Sequence, residues 1–250
     1  MVQRKCNIFG LLVFFIVLSF MFASCSFRAT SEIGAPSLQS NTLTDAEKDA
    51  GWKLLFDGMS FNGWKSPNRK SFPDSGWQIQ NGALTVLGTG GGDIITEQEF
   101  SDFELYLEFK LTSGANSGIK YFVKEIPGHD VVGLEYQLLD DENHPDAANG
   151  IGGNRTLASL YDLIPADNKT VNPIGEWNHA RIIVEGDHVQ HWLNGKKVVE
   201  YRRSTQMYRA LIQKSKYAKY DNFGMWDKGH ILLQDHGDVV YFRNIKIREL

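Results

Sequence analysis

The sequence predicts an all-β protein, built as an antiparallel β-sandwich or jelly roll. From Gly51 onward, short apolar runs recur with turn signals between them, about a dozen in all. The run 103–111 alternates strictly between apolar and polar residues, which is typical of a half-buried antiparallel strand. The best candidate for a helix is 204–219, which fits one or two helical turns or a loop. Sandwiches of this kind often occupy about 200–250 residues as a single domain.

Residues 1–24 have the pattern of a secretory signal peptide. Arg4 and Lys5 form a basic start, and an apolar run from Ile8 to Phe22 follows, too short to span a bilayer comfortably. Removal of this segment also removes its two positive charges, so the mature chain is more acidic than the formal net charge of −4. Such acidity argues against nucleic-acid binding, which calls for a basic patch.

The cysteine that ends the signal indicates a lipid anchor. Ala23-Ser24-Cys25 resembles the lipobox of bacterial lipoproteins, in which Cys25 becomes the lipidated first residue of the mature chain. The alternative is an ordinary secretory signal in which Cys25 has no special role. With lipidation, we expect a protein of the bacterial cell envelope, periplasmic or at the cell surface, held to the membrane by lipid alone. Cys6 is the other cysteine, so the mature domain has no disulfide and no thiol catalyst.

The rest of the chain divides into a tether and one domain. Residues 25–50 are rich in Ser, Thr, Ala and Asn and predict a flexible tether, with one helical turn over Thr44–Lys48. Residues 51–250 form the predicted sandwich domain. Its hairpins are marked by Asn-Gly, Gly-Asp and similar turn residues. The hairpins pair 77–80 with 83–86, 180–185 with 188–193, 188–193 with 196–201, and 230–236 with 239–247.

One predicted strand, 133–139, carries two polar side chains on the same face. Side chains alternate with period two along a strand, so Glu135 and Gln137 leave together while the apolar residues between them point the other way. A carboxylate beside an amide can bind sugar hydroxyls or move a proton. An ordinary solvated face of a sheet would show the same pattern, and the residues of this strand leave both interpretations open.

The tract that follows this strand, 140–146, gathers carboxylates and one histidine in a loop. Asp140 and His144 are candidate ligands for calcium or a similar divalent cation, because hard cations prefer oxygen donors. The spacing is not that of an EF-hand, and a solvated polar loop is the alternative. Loops on a rigid scaffold are where sites tend to lie.

Other candidate site residues are scattered along the chain. His236 shares a face with Gln234 by period two and can exchange protons near neutral pH. Asn116-Ser117-Gly118 predicts a hairpin turn or bulge before Lys120, which could place a cation on the same sheet face.

The aromatic residues offer both core and ligand contacts. Tyr161 and Trp226 lie near loops and are candidates for stacking on a sugar, whereas Trp64, Trp177 and Trp192 are assigned to packing. Most aromatic residues of sandwiches lie in the core.

Six groups of residues, in order along the chain, resemble the 3-keto-disaccharide hydrolase domain family, formerly a domain of unknown function. Together they cover nearly all of 51–250. They are Trp52–Gly58 with Gly63-Trp64, Asn116–Gly118, Glu135–Gln137 with Asp140, Gly175–Asn178, Trp192–Gly195, and Leu233–Gly237 with Phe242–Ile245.

The resemblance implies a concanavalin-like jelly roll with a sugar groove on its concave sheet. It also implies carbohydrate substrates that a partner sugar 3-oxidoreductase has first oxidised at C3. A C3 ketone acidifies the C2 hydrogen, so a base can remove it, the C1 substituent leaves by β-elimination, and water then adds. On this basis Glu135 and His236 are expected to be the acid–base pair. Gln137, Asn116 and Lys120 would bind hydroxyls and the developing oxyanion. Asp140 and His144 would hold a metal or order the loop, and Asp140 is also a candidate substrate-binding residue.

Two other functions remain open at this stage. A non-catalytic carbohydrate-binding module would bind glycans in the same groove without cleaving them. A conventional glucan glycosidase of the retaining type needs two carboxyl groups about 5–5.5 Å apart. Gln137 occupies the position of the second carboxyl, and an amide cannot act as the nucleophile, so this function is disfavoured.

Overall fold

The computed structural model describes residues 40–126 and 131–250. The signal peptide, Cys25 and most of the predicted tether lie outside the described residues. Within those two ranges, no helix is long and apolar enough to cross a membrane. The last part of the predicted tether lies against the domain: Asn41 is 7% exposed, and its side chain bonds to the main chain of Gly82 and Asn244.

The described residues form thirteen strands, three α-helices and one 3₁₀ helix. The strands are β1 (Lys53–Leu54), β2 (Trp64–Lys65), β3 (Trp77–Gln80), β4 (Ala83–Leu87), β5 (Ile94–Thr96), β6 (Phe103–Leu111), β7 (Asn116–Lys124), β8 (Val132–Leu139), β9 (Asn178–Glu185), β10 (His188–Leu193), β11 (Lys196–Arg202), β12 (His230–Leu233) and β13 (Val239–Glu249). The helices are α1 (Asp45–Asp49), α2 (Asp146–Asn149) and α3 (Gln206–Lys214), and the 3₁₀ helix is Lys216–Lys219.

The strands form two antiparallel sheets that pack face to face, which confirms the predicted β-sandwich. The five-stranded sheet has the order β2-β5-β12-β7-β8. The eight-stranded sheet has the order β11-β10-β9-β6-β13-β4-β3, with β1 added against β13. Strand β13 therefore lies in the middle of the larger sheet, between β6 and β4.

The hairpin turns follow the predicted chemistry. Asn81 and Gly82 have φ values of 51° and 73°, and Asn194 and Gly195 have 49° and 78°. Two successive positive φ angles define the tight turn that matches the twist of paired strands, and Asn-Gly adopts it with little strain. The predicted helical turn after Thr44 is also present as α1, with Thr44 and Glu47 forming a capping box.

Two predicted elements differ from the structure. Asn116-Ser117-Gly118 does not form a turn but begins β7, because the chain reverses earlier, where Ala115 donates to the carbonyl of Thr112. The strand predicted over 230–236 ends at Leu233, and the predicted hairpin with 239–247 is wrong, because β12 lies in the five-stranded sheet and β13 in the eight-stranded sheet. The candidate helix at 204–219 is α3 followed by the 3₁₀ helix.

The core lies between the two sheets. The apolar face of β6 is buried as its alternation predicts, with Phe103, Leu107 and Phe109 fully covered. Trp64 also lies in this core. Trp177 and Trp192 are half-buried elsewhere and pack under arginine side chains, at 4.0 Å and 5.4 Å from ring centroid to guanidinium.

A buried histidine in the core makes the stability pH-dependent. His191 is fully buried, with Nδ1 bonded to the carbonyl of Ala158 at 3.0 Å and Nε2 to the hydroxyl of Tyr121 at 2.8 Å. Burial lowers the pKa of His191 from 6.5 to about 4. Below pH 6.5 the His191 imidazole of the unfolded chain therefore binds a proton, whereas that of the folded chain stays neutral until the pH falls to about 4.

We expect this histidine to cost stability in acid. The free energy of unfolding should fall by about 3 kcal/mol between pH 6.5 and pH 4 through this group, at about 1.4 kcal/mol for each pKa unit. Urea unfolding of the wild type and His191→Gln at pH 7 and pH 4.5 measures it. The variant should lose less stability on acidification, and an equal loss in both proteins would contradict the prediction.

Candidate active site

A cavity of about 580 Å³ lies on the outer face of the five-stranded sheet, the face turned away from the core. Polar side chains form most of its floor and one wall. The residues that line it are Pro67, Asn68, Asp93, Asn116, Lys120, Val131, Val132, Gly133, Glu135, Gln137, Tyr161, Lys216, Tyr217, Lys219, Tyr220, Gln234 and His236. It therefore brings together Glu135, Gln137, Asn116, Lys120, Tyr161 and His236 from the sequence-based candidates.

The register of the strands explains why these residues meet. Lys120 of β7 pairs with Glu135 of β8 on one side and with Leu232 of β12 on the other. The next outward-facing pair is Gly118 with Gln137, and the main-chain N–H of Gln234 donates to the Gly118 carbonyl. Paired residues on neighbouring strands thus form rows that run across the floor. Each row joins residues that are far apart in the sequence.

Glu135 lies on this floor, on the edge strand β8. Its side chain is 6% exposed, and one carboxylate oxygen is 3.9 Å from the Lys120 ammonium. The carboxylate leans over Gly118, where an added Cβ would be 2.4 Å from Oε1. Only glycine leaves room for it there, so Gly118 permits the position of Glu135.

Gln137 supports the same carboxylate. In the amide orientation that satisfies its hydrogen bonding, Nε2 donates to Glu135 Oε1 at 3.1 Å and to the Ser117 carbonyl at 3.2 Å. The predicted pairing of these two side chains on one face is therefore a direct contact. Gln137 orients Glu135 and supplies no second carboxylate.

Burial raises the pKa of Glu135 above its ordinary value. The positive charges of Lys120 and Lys216 counteract part of this rise in pKa, and the nearby Asp93 adds to it. The net effect is a carboxyl group with a higher pKa than an exposed glutamate. Its carboxylate form is a stronger base, which suits removal of a proton from carbon.

Asp93 is a second carboxyl group in the cavity, and it was not among the residues predicted from the sequence. It directly precedes β5, and its Oδ1 accepts a hydrogen bond from the main-chain N–H of Asp235 at 3.0 Å. Burial raises the pKa of Asp93 as well, although Lys120 and His236 lower it in part.

His236 and Gln234 reach the cavity from the segment after β12. His236 is exposed, and its ring centroid lies 6.4 Å from that of His144. The Gln234 side-chain oxygen is buried without a hydrogen-bond partner among the described residues. A buried acceptor of this kind favours a ligand that brings a donor, such as a sugar hydroxyl. Gln234 shares its face with His236, so period two could have found it.

The wall beside Glu135 is aromatic and cationic. The Tyr161 hydroxyl donates to Asp146 at 2.8 Å, which fixes the ring, and the Lys216 ammonium lies 4.2 Å from the ring centroid. Tyr217, within the 3₁₀ helix, and Tyr220, directly after it, continue this wall. Flat aromatic rings next to hydrogen-bonding groups are suited to a sugar ring.

Two sequence-based candidates lie away from this cavity. Trp226 packs edge-on against Phe223, and its carbonyl accepts a hydrogen bond from Arg203. Asp140 is buried and accepts hydrogen bonds from the main chain of Gly114 and from both nitrogens of Asn143. The structure thus places the Asp140 carboxylate where it orders its loop.

The proposed metal ligands also have hydrogen-bond partners. His144 Nδ1 accepts from the main-chain N–H of Asp146 at 3.1 Å, and the Asp140 oxygens are occupied by N–H donors. Across residues 40–126 and 131–250, no group of three His, Cys, Asp or Glu side chains is arranged to hold a metal ion. The residues present do not fit a metal site at Asp140 and His144.

Comparisons with known proteins agree with this architecture. The family model of the 3-keto-alpha-glucoside-1,2-lyase-like domain matches residues 51–248. A 3-keto-disaccharide hydrolase from Bacteroides thetaiotaomicron is 38% identical over 248 residues, which cover 84% of this chain and 85% of that protein.

Solved structures from Parabacteroides distasonis ATCC 8503 resemble the fold. One crystal structure of a protein assigned as a glycosyl hydrolase superposes with a TM-score of 0.78 at 33% identity, covering 85% of this chain and all of that one. A second crystal structure has a TM-score of 0.59 at 31% identity, and the match covers 80% of this chain and 99% of the chain in that structure.

Proposed function

Because the chain belongs to the 3-keto-alpha-glucoside-1,2-lyase-like domain family, we propose that it cleaves 3-keto-glycosides by elimination followed by hydration. It is an enzyme of the glycoside hydrolase type that acts on 3-keto sugars. The observation that supports the finer mechanism is the environment of Glu135. Glu135 is a buried carboxylate beside the Lys120 ammonium and bonded to the Gln137 amide, so its neighbour on the same face of β8 is an amide and not the second carboxyl group that double displacement requires.

The first half of the reaction is a β-elimination. The Glu135 carboxylate removes the C2 proton, and the electrons of the C2–H bond form an enolate with the C3 oxygen. The Lys120 ammonium stabilises that oxygen because it lies next to the base. The enolate then expels the C1 substituent, which breaks the C1–O bond and leaves a double bond between C1 and C2. His236 gives a proton to the departing oxygen.

The second half adds water to this double bond. Neutral His236 takes a proton from water as its oxygen bonds to C1, and the electrons return to the C3 oxygen. Glu135 then gives its proton back to C2, which restores the ketone. The sum of both halves is one glycoside and one water converted into a 3-keto sugar and the free aglycone, with every catalytic group back in its starting form.

The side chains around the acid–base pair bind the sugar. Asn116 and Gln234 can bond to hydroxyl groups, whereas the Tyr161 ring is 8% exposed with Lys216 over it, so it borders the sugar and leaves no free face for stacking. The lipid anchor on Cys25, the envelope location and the partner sugar 3-oxidoreductase are part of the same proposal. An oxidoreductase must first supply the C3 ketone, because without it the C2 hydrogen is not acidic enough for this route.

The experiment compares matched 3-keto-glucosides and unoxidised glucosides in D₂O, with and without a chelator, and reads the products by mass. We expect cleavage of the oxidised substrates only, with one deuterium at C2 of the released sugar. Cleavage of the unoxidised glucosides, or release of the 3-keto sugar without deuterium at C2, would contradict the elimination. A binding module would release no product, and loss of cleavage with the chelator would reveal a metal requirement.

A further inference from the structure

The cavity wall beside Glu135 carries two lysines that have no acidic partner. Lys216 and Lys219 both belong to the 3₁₀ helix, and both line the cavity together with Tyr217 and Tyr220. Among the residues that the structure describes, no carboxylate forms a salt bridge with either of these ammonium groups. Both positive charges are therefore available to a ligand in the cavity.

Aromatic rings hold both ammonium groups in place. The Lys216 ammonium lies 4.2 Å from the ring centroid of Tyr161 and 5.2 Å from that of Tyr217. The Lys219 ammonium lies 4.9 Å from the ring centroid of Tyr220. A ring face attracts a cation but is not a carboxylate, so the N–H groups of the ammonium can still donate to an anion. The wall thus presents two positioned cations to the cavity.

Hydrogen bonds also fix the main chain that carries these lysines. The N–H of Lys216 donates to the Asp162 carboxylate at 3.0 Å, and the N–H of Tyr217 donates to the Ser215 hydroxyl at 3.1 Å. The other oxygen of Asp162 accepts a hydrogen bond from the Arg155 guanidinium at 2.8 Å. Asp162 is the acidic residue bonded to this segment, and its charge is therefore already compensated by an arginine.

The cavity is richer in positive charge than the chain as a whole. Lys120, Lys216 and Lys219 line it against two carboxyl groups, Glu135 and Asp93. The whole chain, in contrast, has 26 Lys and Arg against 30 Asp and Glu. Burial lowers the pKa of Lys216, and the charge of Glu135 offsets this only in part. An anionic ligand would supply the compensation that the ammonium lacks.

The position of this wall relates it to the leaving group. The main-chain N–H of Tyr161 donates to the Glu135 carbonyl at 3.0 Å, so the ring that Lys216 covers lies directly beside the base. In the proposed reaction C2 of the sugar lies at Glu135. C1 is bonded to C2, whereas C6 is attached to the carbon across the ring. The C1 substituent, which is the aglycone, is therefore closer to this wall than C6 is.

We propose that Lys216 and Lys219 bind an anionic group, such as a carboxylate, on the aglycone, so that the enzyme prefers 3-keto-glycosides with a negatively charged leaving group. This inference rests on the proposed function and deepens it, because it names the class of aglycone. Both lysines keep their protons throughout, and no covalent bond to either of them forms or breaks.

Two matched substrates test this preference. The 3-keto-glucosides of 4-hydroxyphenylacetic acid and of its methyl ester differ by one negative charge, and the methylene group keeps the two phenols similar as leaving groups. The wild type should cleave the acid with a kcat/KM about three- to tenfold above that of the ester. This ratio should shrink in about 1 M NaCl, because salt screens charges that solvent can reach.

Variants of the two lysines connect the preference to the wall. The double substitution Lys216→Met and Lys219→Met removes both cations and should bring the ratio of acid to ester to about one. The ratio cancels general changes in activity, because both substrates react at the same base. Lys214→Met, at an exposed lysine of α3 outside the cavity, is the matched control and should keep the wild-type ratio. Circular dichroism of each variant shows whether it is folded.

The possible outcomes separate this role from others. A wild-type ratio of about one overturns the proposal, whether or not the double variant folds. A preference for the acid that persists in the folded double variant also overturns it, because another group then binds the anion. If the two lysines instead govern cleavage of a 3-keto-glucuronide, whose carboxylate is at C6, they bind the sugar and not the aglycone. Wild-type protein that cleaves no 3-keto-glucoside would reject the proposed function itself.

Discussion

Replacing Glu135 with glutamine should lower kcat for a 3-keto-glucoside by about 10²–10⁴-fold, the usual contribution of a positioned general base. The amide has the same shape and can keep the hydrogen-bonding arrangement with Gln137, but it cannot accept the C2 proton. KM should change much less, because the rest of the cavity still binds the sugar. Steady-state kinetics on the 3-keto-glucoside measures both constants.

The same substitution should make the protein more stable at neutral pH. Burial raises the pKa of Glu135, so the folded protein favours the protonated form. The stability that this group contributes is present in acid and is lost as the pH rises through its folded pKa. A neutral glutamine avoids that loss, so Glu135→Gln should melt about 2–4 °C above the wild type at pH 7.5, which corresponds to about 1 kcal/mol.

The pH dependence separates this effect from a general gain in stability. At pH 4 the wild-type carboxyl is protonated too, and the difference in Tm should shrink. Glu97→Gln, at an exposed glutamate outside the cavity, is the control and should leave both kcat and Tm near the wild-type values. A Glu135→Gln protein with wild-type activity would exclude Glu135 as the base.

Replacing Lys120 with methionine should lower kcat by about 10²–10³-fold, because it removes a charged group from the developing enolate. A second effect acts on the base. Lys120 lowers the pKa of Glu135, so its removal should raise that pKa further. The acidic limb of the pH–rate profile should then move to higher pH, and part of the lost activity should return in alkaline buffer.

The matched control for this prediction lies on the same strand. Lys124 is also on β7 but is paired with Glu99 outside the cavity, so Lys124→Met should leave the position of the acidic limb unchanged. Profiles of kcat/KM from pH 5 to pH 9 for the three proteins provide the comparison. An acidic limb of Lys120→Met at the wild-type position would mean that Lys120 does not act on the base.

The fold was largely predictable because its signals are local. The alternation of β6, the Asn-Gly turns and the even spacing of short strands each depend on neighbouring residues, and all of them are present in the structure. The positions of Glu135 and Gln137 were predictable for the same reason. Both lie on β8, and the period of a strand places them on one face whatever the rest of the chain does.

Other parts of the site could not be found in this way. Asp93 follows a glycine-rich turn and precedes a strand of three residues, so no local pattern distinguishes it from a solvated aspartate. It reaches the cavity only because β5 pairs with β12, more than a hundred residues later. Lys216 likewise depends on how the segment after α3 lies over the sheet. Strand pairing and packing between distant segments place both residues. The hydrophobic period and the secondary-structure propensity of the local sequence do not encode such contacts.

Asp140 is a residue whose local sequence pattern fits two different roles. A run of acidic residues after a functional strand predicts either a binding loop or a loop that its own side chains order, and the side chain of Asp140 holds the turn through backbone hydrogen bonds. Asp and Asn bond to nearby main-chain N–H groups as readily as to ligands. Composition alone does not separate these two uses.

The central position of β13 affects how the larger sheet can fold. This strand is the final element, and its pairing partners begin as early as β1, β4 and β6. Contacts between such distant segments form slowly, since a long loop must close before they stabilise anything. Until β13 pairs, the facing edges of β4 and β6 lack their partner strand, and unpaired strand edges are prone to aggregate. A chain that stops short of residue 239 lacks the strand that joins β4 to β6, so we expect it not to form the larger sheet.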